Sequence, residues 1–136
     1  MTYLMDTNAV SAILKQNERI LNRTEKAERE RKEIFISAIT YYEIRRGLLA
    51  VNAARKTEIF EAFCEDHGIL EIDKRLIPDK AAGIYADLKQ QGEILEDSDI
   101  LIAATALVRD LILVTDDRHF KRIPGLIIEN WQRQSE

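Results

Sequence analysis

Carboxylates recur at the margins of the apolar segments of this chain. Asp6 follows Tyr3-Leu4-Met5, and Glu43 sits within Ile39-Thr40-Tyr41-Tyr42-Glu43-Ile44. Asp99 opens onto Ile100-Leu101-Ile102-Ala103-Ala104, and Asp116-Asp117 close Leu111-Ile112-Leu113-Val114-Thr115. Such apolar runs must be buried, so four core segments end in an acid. If those ends meet, the acids converge, repel one another and cannot all ionise cheaply. A hard divalent cation relieves that repulsion and prefers oxygen ligands. The matching chemistry is metal-assisted hydrolysis. One or two Mg²⁺ or Mn²⁺ ions lower the pKa of bound water and steady the oxygens of an in-line displacement at phosphorus.

Each acid also has a plainer role. Asp6 can cap a helix, Asp99 can complement a helix dipole, and Asp116-Asp117 can be turn residues. A helical Glu such as Glu43 is usually solvated. The joint placement is what points to a site. Thr115 can position an acid or a water through its hydroxyl, although a β-branched strand residue there needs no further role. Asn8 can steady Asp6 by hydrogen bonding.

The elements that must position these residues alternate between strand and helix. Residues 2–5 read as a buried strand, and Asp6-Thr7-Asn8 as the turn and cap of a helix through Ala9, Ile13 and Leu14. Residues 18–33 are dense in both charges and read as a solvated helix. A second strand covers 33–37, and Ser37 or Thr40 starts a helix carrying Glu43, Ile44, Leu48 and Leu49. Another helix covers 52–66, with Ile59, Phe60 and Phe63 facing inward, and residues 69–72 form a short strand. Pro78 lies near the start of the next helix, which Gly92 ends. Asp97 or Ser98 caps a helix whose 100–108 stretch is apolar nearly all round and therefore central. Residues 111–114 read as a strand covered on both faces, and 126–128 as a last edge strand. This alternation predicts an α/β fold with a mainly parallel sheet. Ligands then bind beyond the carboxyl ends of the strands, where Asp6 and Asp116-Asp117 fall.

Composition sets the bounds. A chain of 136 residues with 46% hydrophobic and 32% charged residues fits one domain with one core. A net charge of −4 argues against non-specific coating of nucleic acid, but not against an enzyme that acts on it. Cys64 is the only cysteine, so no disulfide forms within the chain, as suits a reducing compartment. It reads as a small core residue. His67 and His119 have no partner at zinc-ligand spacing, and Asp66-His67 reads as a surface turn. There is no glycine-rich phosphate loop, no secretory signal and no membrane-spanning run, so a cytoplasmic protein is the default.

The acid-bearing segments, taken in order, resemble those of PIN-domain ribonucleases, and specifically VapC toxins of bacterial VapBC toxin–antitoxin modules. They are Leu4-Met5-Asp6-Thr7-Asn8, Ile36-Ser37-Ala38-Ile39-Thr40 leading to Glu43 and Gly47, Asp99 through Ala104, Leu113-Val114-Thr115-Asp116-Asp117, and His119-Phe120 through Pro124-Gly125 to Asn130-Trp131. The resemblance spans essentially the whole chain. It implies a three-layer α/β/α sandwich in a single PIN-like domain, 1–136. It also implies a catalytic set of Asp6, Glu43, Asp99 and a fourth acid, with Asp6, Asp99 and the 116–117 pair as metal ligands. The fourth acid is Asp117 or Asp116, and Asp117 is preferred. Mg²⁺ or Mn²⁺ dependence, endonucleolytic cleavage of RNA, a homodimer and a cognate antitoxin follow from the same resemblance.

Two alternatives remain at this point. One is an aspartate-based phosphotransfer or phosphatase domain, although Asn8 stands where such a phosphatase needs a second Asp. The other is a non-catalytic PIN-like interaction module, against which all four acids weigh. The basic segments Arg45-Arg46, Arg55-Lys56 and 118–122 are compatible with an RNA path, or with ordinary solvated charge. Leu48, Leu49, Phe60 and Phe63 are candidates for a symmetric dimer patch.

Overall fold

The computed structural model describes residues 2–133. Five short strands form one parallel sheet: β1 (Tyr3–Met5), β2 (Ile34–Ser37), β3 (Gly68–Leu70), β4 (Ile112–Val114) and β5 (Ile128–Glu129). Their order is β3-β2-β1-β4-β5, so the chain builds outward from β1 on one side and then returns to build the other. In β1, Tyr3 pairs with Ile34 on one side and Ile112 on the other. A strand buried on both faces needs apolar side chains throughout, and Tyr3, Leu4 and Met5 are all buried.

Alternation of side chains along β1 divides the core in two. Tyr3 and Met5 join Val10, Ile13, Ile36, Ile44, Leu48, Phe60, Phe63 and Trp131 beneath α1 (Thr7–Leu14), α2 (Glu18–Arg29), α3 (Ala38–Val51) and α4 (Ala54–Asp66). Leu4 joins Ile77, Ile84, Leu88, Ile102, Leu113 and Phe120 beneath α5 (Leu76–Gln90) and α6 (Asp97–Arg109). The result is the expected three-layer sandwich. Helix α6 is central as its sequence predicts, with Ile102, Ala103, Ala104, Thr105 and Ala106 wholly buried. Among the described residues no helix is long and apolar enough to cross a membrane.

Several local readings need correction. Helix α2 stops at Arg29 and is not solvated all round: Ile20, Thr24 and Ala27 are buried along one stripe. Ser37, not Thr40, caps α3, accepting from the Ile39 N–H at 3.0 Å. Helix α6 starts at Asp97, so Asp97 and Ser98 lie in its first turn, and Glu96 occupies the cap position without a side-chain bond. Strand β3 begins at Gly68 because only glycine lets the backbone approach the Phe35 ring, which a Cβ would meet at 2.8 Å. Strand β5 lies at Ile128–Glu129, where its register is set by pairing with Leu113 and Val114.

His67 is not a surface residue: its ring packs against Phe63 at 4.5 Å between centroids, and it faces Glu28. Cys64 is half-buried against the first core, and burial pushes its thiol pKa up. Of the four residues expected to form a dimer patch, Leu48, Phe60 and Phe63 are consumed by the protein's own core. Leu49 alone is exposed, at 69%, with Val51 beside it at 73%.

Candidate active site

Asp6 is the residue on which the sheet edge is organised. The chain leaves β1 at Asp6 in extended conformation and turns directly into α1, so the carboxylate lands at a helix N-terminus. Its Oδ1 accepts from the Ala9 N–H at 2.8 Å, an ordinary helix cap. Its Oδ2 accepts from the Thr115 hydroxyl at the end of β4. The Asp6 N–H donates to the Val114 carbonyl at 3.1 Å, tying the ends of β1 and β4 together. Asp6 is only 2% exposed. Burial raises its pKa to about 6, against the two hydrogen bonds that lower it, and the charges of Asp99 and Asp117 raise it further.

Asp99 reaches the same place from α6. It is the third residue of that helix and half-buried. Its pKa is also raised to about 6, first by burial and then by the charges of Asp117, Glu43 and Glu96. Asp6 is thus within electrostatic reach of Asp99 and Asp117, and Asp99 within reach of Asp117 and Glu43.

Glu43 is steered by a chain of hydroxyls. Its Oε1 accepts from the Thr7 hydroxyl at 2.7 Å, and the Thr7 and Thr40 oxygens lie 3.2 Å apart. Thr7 has one proton and gives it to Glu43, so Thr40 is the donor of the second bond. Arg46 stands 3.7 Å from the other Glu43 oxygen. Sequence reasoning missed Thr7 and Thr40. Their contacts with Glu43 and with each other join α1 to α3, and a hydroxyl gives no local signal of a long-range partner.

The two acids after β4 part ways. Asp117 caps the 3₁₀ turn Arg118–Arg122, where its Oδ1 accepts from the His119 N–H at 2.9 Å and lies 2.8 Å from His119 Nδ1. Its own N–H donates to the Thr115 hydroxyl oxygen at 3.0 Å. Asp116 is held elsewhere: its Oδ1 accepts from Asn130 Nδ2 at 2.7 Å and lies 3.1 Å from Arg133 Nε. It does not figure among the charges acting on Asp6 or Asp99. The expectation that Asn8 steadies Asp6 is not met, because Asn8 is exposed and Thr115 and Ala9 take both Asp6 oxygens.

The donor chemistry fits a hard divalent cation: Asp6, Glu43, Asp99 and Asp117 all offer carboxylate oxygen, and Asp6 and Asp99 are held against their own ionisation. Among the described residues, no three His, Cys, Asp or Glu side chains stand close enough to enclose an ion as placed.

Comparison with known proteins shows the family of the chain. The family model of the PIN domain matches residues 3–126. The chain is 32% identical to Ribonuclease VapC2 of Rickettsia felis, covering 98% of this chain and 100% of that protein. It is also 32% identical to Ribonuclease VapC2 of Haemophilus influenzae, with 96% of this chain and 98% of that one covered. The crystal structure of VapBC2 from Rickettsia felis bound to a promoter DNA fragment superposes with a TM-score of 0.89 at 28% identity. That match covers 96% of this chain and 99% of its counterpart.

Proposed function

The chain belongs to the PIN-domain family, among the VapC ribonucleases, and on that premise we propose that it is the toxin of a type II toxin–antitoxin pair, a Mg²⁺- or Mn²⁺-dependent endoribonuclease. The observation that carries this reading is Asp6, buried at the end of β1 and bonded to Thr115, which also receives the Asp117 N–H, with Asp99 near enough for its charge to act on it. Burial, and after it the charges of neighbouring acids, hold Asp6 and Asp99 at about 6, a setting that suits the binding of a cation. When bound, Mg²⁺ or Mn²⁺ would supply Lewis acidity and a water acidic enough to attack phosphorus near neutral pH.

The chain's own residues set the geometry. Asp6, Asp99 and Asp117 are the carboxylates that would hold the ion, and Glu43 borders the same space. Thr115 fixes the rotamer of Asp6 and receives the Asp117 N–H, so one hydroxyl orients two of the four acids. Thr7 and Thr40 do the same for Glu43. Asp116 is set aside as a ligand, because Asn130 and Arg133 occupy it. The aspartate-phosphotransfer alternative falls with the family assignment.

An antitoxin that covers the site, and a homodimer, belong to this same reading. The VapBC2 complex from Rickettsia felis supports the first by analogy. The exposed Leu49 and Val51 on α3 are a surface available for the second. The test is cleavage of RNA by the purified protein with Mg²⁺ or Mn²⁺, with chelator, and with the Asp6→Asn variant. Cleavage confined to the wild type with metal is expected. No cleavage under any condition would favour the non-catalytic module, and undiminished cleavage in chelator would remove the metal from the mechanism.

A further inference from the structure

Beside the acids lies an open cleft that the catalytic reading leaves unused. Thr115, Asp116 and Asp117 form one border of this cleft of about 960 Å³, near the upper end of the roughly 300–1,000 Å³ usual for ligand sites. Arg19 and Arg23 line it from α2, Arg118 and Lys121 from the 3₁₀ turn, and Arg133 from beyond β5. Five cations share one cleft in a chain whose net charge is −4.

The five are not equivalent. Arg23 bonds Glu129 at 3.2 Å and lies over the Trp131 ring at 5.3 Å, and Arg133 is 3.1 Å from Asp116. Those two are compensated and stiffen the walls. Arg19, Arg118 and Lys121 are exposed and have no ion-pair partner among the described residues. We propose that this cleft receives the single-stranded RNA flanking the cut, with Arg19, Arg118 and Lys121 on its phosphates.

The inference rests on the ribonuclease reading and adds a direction to it. An acidic crevice repels a phosphodiester backbone, so the strand needs compensating cations immediately beside it. The cleft supplies them from Asp117 outward, and a strand cut at the acids must extend past the cut. An acidic peptide would feel the same charges. RNA is favoured because Asp117 and Thr115, which belong to the proposed catalytic set, also line the cleft.

The test is the salt dependence of oligouridine binding in chelator, where no cutting occurs. The wild type is compared with Arg19→Ala/Arg118→Ala/Lys121→Ala and with a control lacking three cations remote from the cleft, Arg29→Ala/Lys89→Ala/Arg109→Ala. For single strands each phosphate contact adds roughly 0.7 to the slope of log K against log salt, so losing three lowers it by about two. The cleft variant should show that drop, and with Mg²⁺ its cutting should weaken at low RNA concentration and recover at high. The control should match the wild type. Equal slopes in cleft variant and wild type, or no RNA binding by the wild type, would overturn the proposal. So would poly-glutamate binding as tightly as RNA and depending on the same three residues. Failure of the wild type to cut RNA with metal is a separate result, which would sink the ribonuclease reading while leaving the binding comparison to be scored on its own.

Discussion

Replacing Asp99 by Asn should abolish RNA cleavage and, in chelator at pH 8, raise the melting temperature. Burial and the neighbouring acids hold the Asp99 carboxyl at about 6 instead of 3.8. Between about pH 4 and 6 the folded protein therefore keeps a proton that the unfolded chain has released. Stability from this group is complete below the unfolded value and is lost as the pH rises through the folded one. A gap of about two on the pH scale corresponds to roughly 3 kcal/mol. Asp99 is only half-buried, so solvent screening reduces this to about 1–1.5 kcal/mol. Losing a favourable acid from the first turn of α6 offsets about 0.5 kcal/mol. The remainder, about 0.5–1 kcal/mol, shifts the melting temperature of a chain this size by about 2–4 °C. The assay is a pair of melts in chelator, at pH 8 and pH 4, on wild type and variant, with RNA cleavage measured alongside. The gain should appear at pH 8 and vanish at pH 4, where the wild-type carboxyl is already protonated. A lowered melting temperature at pH 8 would make Asp99 a structural residue. A gain that persists at pH 4 would show that charge repulsion is not its cause, and full activity in the variant would remove Asp99 from the catalytic set.

Millimolar Mg²⁺ or Mn²⁺ should raise the melting temperature of the wild type, because the folded state alone presents the acids together; the rise should be lost in Asp6→Asn, as calorimetry would register. Thr115→Val should cost about 1–3 kcal/mol, since it leaves the Asp117 N–H without an acceptor and removes a buried bond to Asp6. Thr115→Ser should recover both stability and cleavage, whereas a valine variant with full activity would deny Thr115 any part in orienting the acids. Trp131→Ala should destabilise the fold by about 3–5 kcal/mol in denaturant melts, because the indole is buried edge-on to Tyr3, covered by Arg23, and donates to Glu129 at 2.9 Å.

The features legible in the sequence were those with a local physical signature. Continuous apolar runs identified β1 and β4, and the acids that close them could be placed at one sheet edge from parallel topology alone. What escaped were the relations set by tertiary packing. The role of Thr7 depends on Glu43 of the neighbouring helix α3, 36 residues away, and no periodicity records that. Asp116 and Asp117 are adjacent and chemically identical, and only Asn130 and Arg133, brought in by β5, tell them apart. Helix α2 was read as solvated because charge dominates its composition, yet three small or apolar positions are enough to seat it. The supposed dimer patch failed for the opposite reason. Leu48, Phe60 and Phe63 have the character of an interface, but a thin two-sided core has first use of them.

The order of the strands also governs when the protein can act as it is being made. The centre of the sheet is laid down first, but β1 acquires its second neighbour only when β4 arrives, and the Thr115–Asp6 contact joins residues 109 positions apart. Synthesis proceeds at about 5–20 residues per second, with folding following the emerging chain. Until β4 emerges, the nascent polypeptide carries Asp6, Glu43 and then Asp99 without the strand that supplies Thr115. A chain released before Thr115 has neither the fourth acid nor the latch on the first. The topology thereby delays assembly of the proposed site until β4 and the residues after it have been made, and a product terminated before them is left without it.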